Sequence, residues 1–382
     1  MSATILYLYL DPKPRDRVQD MTLAGIRRYA DARGWKTVAW HDTRPEGLAA
    51  LLAEHSPVAG CVVECSDDNA TLPPRLFGRV PVVYLHASPS LYGSRATRVD
   101  VDNDAVVRVA FRELSAGRPA AYGVVGDARG FSWSRERERA FRALVAATGT
   151  PCRVFPHVGD SQRTARLAKW VAALPCRTAV FAANDFAAAD VVAAAQTAHR
   201  KIPGELTLCG VDNLAEICEA SSPPITSIQL DFEREGYIAA RTIGMGADGR
   251  GGTVAASIGP LLSVRRESTR GGGRQEANIL AAVELIRREA CNGLLAREVI
   301  AQSPGSKSLF NLRFREAMGH SVHDEIEHVR MEKAFTLLSQ TDTAIGAIAD
   351  LCGYRSNIAM HKAFRLRTGM SMSEWRRQNG GS

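Results

Sequence analysis

Six short apolar runs, separated by longer stretches with helical spacing, constrain the fold of this 382-residue chain more than any other feature. "TILYLYL", "GCVVEC", "VPVVYLH", "AAYGVVG", "TAVFAAN" and "LTLCGVDN" read as strands buried on both faces. Between them, "TLAGIRRYADARG", "DNDAVVRVAFRELSAG", "RERAFRALVAATG", "RTARLAKWVAAL" and "DFAAADVVAAAQTAHR" place apolar residues at helical spacing, and several of these stretches stop at Gly. Strand, helix, strand in alternation predicts parallel sheets with crossover helices. Their number predicts two such sheets, and so a two-lobed α/β domain over residues 1–267.

The stretch "STRGGGRQ", residues 268–275, breaks this pattern. Three consecutive glycines between charged residues extend neither a helix nor a strand cheaply, which predicts a linker. Residues 276–382 carry helical patterns only, so the second domain reads as all-α.

Several function classes lose their footing on composition and motif. The first apolar run before Asp11 is too short for a signal peptide or a membrane span, and reads as a buried strand. Eight cysteines (61, 65, 152, 176, 209, 218, 291 and 352) form no CxxC pair and no Cys/His cluster with zinc spacing. Free thiols in a reducing cytoplasm are the expectation, with no metal and no membrane. There is no P-loop, no GxGxxG after the first strand, no GxSxG and no HExxH, so no enzyme is expected.

Charge is informative only where it is focused. The whole chain carries +7, and residues 274–382 hold 15 Lys/Arg against 12 Asp/Glu. Within 355–377 the count is six against one, a basic patch. That patch belongs to a repeat: Phe314, Arg315, Gly319 and Ser321 recur 50 residues later as Phe364, Arg365, Gly369 and Ser371.

Each copy reads as a short helix, a tight turn and an exposed basic helix. In the second, Ile345, Ile348, Ala349 and Leu351 mark the buried side of the short helix. Gly353 permits a positive φ in the turn, and Ser356 caps the next helix. Met360, Ala363 and Phe364 form that helix's apolar side, leaving Arg355, Ser356, Asn357, His361, Lys362, Arg365 and Arg367 for DNA. The first copy runs from Leu295 to Gly319, with Ser306 as cap and Lys307, Ser308, Asn311, Arg313 and Arg315 on its second helix. A long helix over 322–339 joins the copies, spacing two helix-turn-helix units for successive major grooves of double-stranded DNA.

"IGAIADLCGYRS…FRLRTGMSMSEWRR" resembles the signature of the AraC family of transcription regulators, at Ile348, Ala349, Gly353, Tyr354, Ser356, Phe364, Arg365, Gly369 and Arg376. The resemblance covers about 274–378 and implies two helix-turn-helix units joined by a long helix. Met360 stands where an aromatic is usual, Met372 where a proline is, and Pro304 where the first turn usually has Gly. With Leu309 and Leu312 near its base-reading positions, the first unit is expected to carry less of the specificity than the second.

Polar residues also gather where the strand pattern ends in the first domain, which is where parallel sheets place a ligand. Asn184 and Asp185 follow one strand, Asp212 and Asn213 the next, and Trp133 precedes a cluster of arginines after a third. Carboxylates and amides hold sugar hydroxyls, Arg donates to sugar oxygens, and a Trp face stacks on the C–H side. The same residues also serve as helix N-caps and solvated faces, and the residues alone leave both readings open. Residues 3–267 resemble the ligand-binding domain of LacI/GalR regulators, itself similar to periplasmic sugar-binding proteins. That resemblance implies sugar contacts at Arg137, Asn184 and Asp212, with Trp133 and Asp185 beside them. First-lobe residues near Lys13–Asp20 would close over the sugar, although Asp20 stands where an Arg is usual.

A LacI-type sensor ahead of an AraC-type reader resembles the xylose-operon regulators. The resemblance implies a homodimer that binds operator DNA under control of a monosaccharide, with no cofactor, and that engages RNA polymerase as an activator. The alternative is a DNA-binding regulator whose first domain serves only dimerisation.

Overall fold

The computed structural model describes residues 2–9, 17–41, 47–64, 72–86, 97–156, 162–247, 255–269, 274–303, 306–341 and 343–379. Contacts divide it into two compact units, Met1–Gly273 and Arg274–Ser382.

The first unit holds two six-stranded sheets. One takes β1 (Thr4–Tyr9), β2 (Lys36–Trp40), β3 (Val58–Glu64), β4 (Val82–Leu85), β5 (Arg98–Val101) and β11 (Ala255–Ile258), in the order β11-β5-β4-β3-β1-β2. The other takes β6 (Ala121–Val125), β7 (Cys152–Val154), β8 (Thr178–Ala182), β9 (Leu206–Val211), β10 (Thr226–Leu230) and β12 (Pro260–Val264), in the order β12-β10-β9-β8-β6-β7. Helices cover both: α1 (Arg17–Ala32), α2 (Leu48–Glu54), α3 (Asn103–Ser115), α4 (Ser132–Ala146), α5 (Arg163–Ala172), α6 (Asp185–Thr197), α7 (Ala215–Cys218) and α8 (Phe232–Ala247).

Alternation along each strand explains why both faces are covered. Ile5 and Tyr7 pack with Leu23, Ile26 and Tyr29 of α1 and Ile243 of α8, whereas Leu6 and Leu8 pack with Leu48 and Leu51 of α2. In the second sheet Val180 and Ala182 join Leu167 of α5 and Val191 of α6, while Ala179 and Phe181 join Val106 of α3 and Phe141 of α4. Each fully buried Leu or Phe of this kind contributes about 1.5–3 kcal/mol.

Six apolar runs underestimate the strands. β2, β5, β7, β10, β11 and β12 escape the pattern. Short strands such as β5 ("RVDV") and the edge strand β7 ("CRV") bury too little to read as apolar runs. The second sheet is also not wholly parallel, because β12 runs antiparallel to β10. The chain passes between sheets at β5–α3, at β10–α8 and at β11–β12. Strand carboxyl ends of both lobes therefore border these crossings, and that placement makes the cleft.

The expected linker begins too early at 268. Ser268 is fully buried and donates to the Leu208 carbonyl at 2.6 Å, so it belongs to the first unit's core. Helix α9 (Arg274–Glu289) already covers its other end, and 270–273 lie outside the described residues.

The second unit is helical throughout its described residues: α9, then α10 (Ala296–Gln302), α11 (Lys307–Met318), α12 (Val322–Gln340), α13 (Ile345–Leu351), α14 (Asn357–Thr368) and α15 (Met372–Asn379). Met331, Ala334 and Leu338 of α12 share a core with Ile348, Ala349, Met360 and Phe364. Leu351 is 45% exposed and lies outside that core, contrary to its place in the apolar pattern.

Candidate ligand cleft and nucleic-acid interface

Asp212 follows β9 with φ 102°, and Asn213 with φ 54°. A non-glycine residue rarely adopts these angles, and such strain persists only where surrounding structure enforces it. Here the enforcement is visible. Asn213 receives a bond from Arg266 at 2.8 Å, donates through its side chain to Gln229 at 2.8 Å, and donates through its backbone to Ser227 Oγ at 3.0 Å. Asp185 accepts from Ser227 Oγ at 2.6 Å and from the Leu214 backbone at 2.7 Å. Its burial, then the nearby Asp212 charge, push the Asp185 carboxyl up to about 7.

This geometry corrects the expected role of two residues. Both oxygens of Asp185 are engaged inside the protein, so it stands behind the Asp212 loop rather than in the cleft. Asn184 caps α6 by accepting from the Ala187 N–H at 2.9 Å, and donates to Asp127 at 3.1 Å. From the sequence alone, a polar residue after a strand looks the same as a ligand contact or as an internal cap.

Trp133 and Arg137 lie one turn apart on α4, with the guanidinium 4.8 Å from the indole centroid. Arg137 is 3% exposed and is aimed by two acceptors, the Ala183 carbonyl at 2.6 Å and Asn103 Oδ1 at 2.9 Å, and by an ion pair with Asp212 Oδ1 at 3.6 Å. Burial lowers its pKa, and Asp212 and Asp185 oppose that shift. The structure thus brings together Trp133, Arg137 and Asp212 of the five expected positions.

The first lobe supplies residues that the strand pattern did not single out. Glu64, ending β3, accepts from Gln19 at 2.7 Å and from the Tyr7 hydroxyl. Burial raises its pKa against the opposing pull of His86. His86, after β4 with φ 56°, lies 3.3 Å from the fully buried Glu235 carboxylate. Burial pulls the imidazole pKa down, but Glu235 and Glu64 outweigh it and raise it to about 9, with Arg137 opposing. Arg137 and His86 therefore feel one another's charge although they belong to different lobes. A lone acid closing an apolar run, as in "GCVVEC", was the available signal. Of the expected lip, 13–16 lie outside the described residues and Arg17–Asp20 open α1.

The second unit repeats itself closely. Helices α11 and α14 each span 12 residues, 50 apart, and end at Gly319 (φ 76°) and Gly369 (φ 75°). Ser321 with Asp324, and Ser371 with Glu374, then cap the helices that follow. Gly353 turns at φ 73°, where an added Cβ would meet the Ala290 carbonyl oxygen at 2.7 Å.

On α14, Met360 and Phe364 face inward, which turns Ile358, Lys362 and Arg365 outward with His361 at the edge. The matching row on α11 is Ser308, Leu312 and Arg315, with Asn311 half-buried at the edge. Lys307, Arg355 and Asn357 are exposed at the helix starts, and Ser356 Oγ accepts from the Ala359 N–H as the cap. Ile358 at 81% exposure was not expected; an apolar side chain in a reading row fits a thymine methyl. Arg367 lies toward α12 and, after burial, helps lower the pKa of His328 there.

Residues 89–269 match a periplasmic binding protein-like domain, and residues 305–378 match a helix-turn-helix domain. The chain is similar to the xylose operon regulatory protein of Escherichia coli (strain K12), 28% identical over 290 residues, 74% of each chain. It is likewise similar to that of Haemophilus influenzae, 26% identical over 287 residues, 73% of this chain and 74% of the other. A solved xylose-binding transcription activator covers 98% of both chains at 23% identity with TM-score 0.56. A cellobiose complex of the regulator CelR covers 69% of this chain and 84% of its own at 20% identity, TM-score 0.59. No helix among the described residues is long and apolar enough to cross a membrane.

Proposed function

We propose that this chain, an AraC-type DNA-binding transcription regulator with a LacI-like sensor domain, is switched by a monosaccharide held between Trp133, Arg137 and Asp212. The observation that carries the reading is Asp212 itself, at φ 102° and 3.6 Å from a buried guanidinium that an indole covers. Strain of this kind costs on the order of 1–3 kcal/mol, and a loop built to hold it is a loop built to present the carboxylate. The carboxylate and guanidinium address sugar hydroxyls while Trp133 stacks on the C–H face. Asp185 keeps the loop in place through Leu214 and Ser227, while Asn184 caps α6. Similarity to xylose operon regulatory proteins makes xylose, a pentose, the first sugar to test.

A sugar that bridges the lobes favours the closed form only through contacts the open form lacks. Closure then re-aims the two C-terminal reading domains of a homodimer on operator DNA, in the cytoplasm, with RNA polymerase as the partner of an activator. The test is linkage, which is reciprocal. Xylose should tighten operator binding by the full chain, and operator should tighten xylose binding by the same factor. Asp212→Ala should abolish the sugar effect and leave sugar-free DNA binding intact. If no monosaccharide in a panel shifts either equilibrium, the domain serves dimerisation alone.

A further inference from the structure

His320, Glu325 and His328 gather where the first reading helix meets the helix that joins the two units. His320 Nε2 lies 2.7 Å from Glu325 Oε2, and His328 Nδ1 lies 3.8 Å from the same oxygen. One ligand atom from each residue falls within 4.8 Å of the others. The imidazole rings meet edge to face, with centroids 4.9 Å apart and planes inclined at 65°. Glu325 is only 8% exposed, while both histidines are partly open to solvent.

We propose that His320, Glu325 and His328 form a binding site for zinc or a similar borderline divalent transition cation. Zinc bonds imidazole nitrogen at about 2.0–2.1 Å, so neighbouring ligand atoms of a tetrahedral ion stand about 3.3 Å apart. The two separations from the shared carboxylate oxygen, 2.7 and 3.8 Å, bracket that value. Two imidazoles and one carboxylate suit zinc, cobalt or nickel; calcium and magnesium take oxygen donors instead. Three protein ligands leave the fourth position to water.

Backbone placement gives the site a consequence. Gly319 ends α11, His320 follows it at once, and Ser321 caps α12, which carries Glu325 and His328 on its first two turns. A cation there ties the end of the first reading helix to the joining helix, independently of any sugar. The inference does not rest on the sensor reading.

The experiment uses the full chain and Co²⁺ as a spectroscopic stand-in for Zn²⁺. Cobalt should give visible d–d bands of four-coordinate intensity, saturating at one ion per chain, without the near-ultraviolet thiolate bands that binding at cysteine would add. Zn²⁺ should displace it and raise the thermal midpoint. In His328→Gln and His320→Gln, affinity should fall at least about tenfold and the thermal shift should vanish. His328 is a half-exposed side chain, so its variant keeps the fold. Bands that are absent, thiolate-like, or unchanged in both variants overturn the proposal.

Discussion

The guanidinium of Arg330 lies over the ring of Tyr354, 5.3 Å from its centroid, and thereby joins the two helix-turn-helix units. Arg330, in the joining helix, donates to the carbonyls of Ala290 at 3.0 Å and Leu294 at 2.9 Å, at the edge of the first unit. Tyr354 belongs to the turn of the second and donates to Glu327 at 2.8 Å. Arg330→Met keeps the stem and removes the charged bonds, each worth about 1.5–3 kcal/mol. It should lower the melting temperature and weaken operator binding together. Tyr354→Phe keeps the ring and gives up a single bond to a carboxylate, about 1.5–3 kcal/mol, against several such bonds in Arg330→Met. Equal losses in the two variants would contradict this division of labour.

Base readout and phosphate contact should separate on α14. Lys362→Ala and Ile358→Ala should each relax discrimination at particular base pairs, by about 1–3 kcal/mol for a good base contact. Arg365→Ala should weaken all DNA alike and reduce the salt slope by about 1. Binding titrations at several salt concentrations, on operator and on scrambled DNA, distinguish them. Uniform loss in every variant would show the helix faces to be misassigned.

Gly210→Ala probes the framework behind Asp212. An added Cβ would come within 2.3 Å of Asp185 Oδ1, and Asp185 cannot move without releasing Ser227 and Leu214. The variant should lose about 1–3 kcal/mol of stability, as overpacked cores do, and lose the sugar response as well. Normal sugar binding by a destabilised variant would show that the Asp212 loop does not depend on Asp185.

Asp185 also makes stability depend on pH. Its folded pKa of about 7 lies above the usual unfolded value of about 3.9, so the native state holds the proton more tightly. Its contribution to stability is therefore full below about pH 4 and is lost as pH rises through about 7. In Asp185→Asn the fall in melting temperature over that interval should be shallower than in the parent protein. Identical slopes would mean that the buried carboxyl is already ionised across the range.

Local physics made much of this protein legible as sequence. Alternating strand and helix patterns and the 50-residue echo require only neighbours along the chain to be read, because periodicity, caps and turn glycines act within a few residues. Ser356, Gly353 and Gly369 mark the limits of α14 for that reason. The cleft was legible as a location but not as a set of roles. Whether Asp185 faces a ligand or the interior depends on Ser227, 42 residues away, and on the missing side chain of Gly210. Likewise His86 meets Glu235, and Arg330 meets Tyr354, only because separate elements pack together. A side chain's direction is set by its own backbone, but the partner it finds is set by what other elements deliver there. Tertiary packing alone decided that.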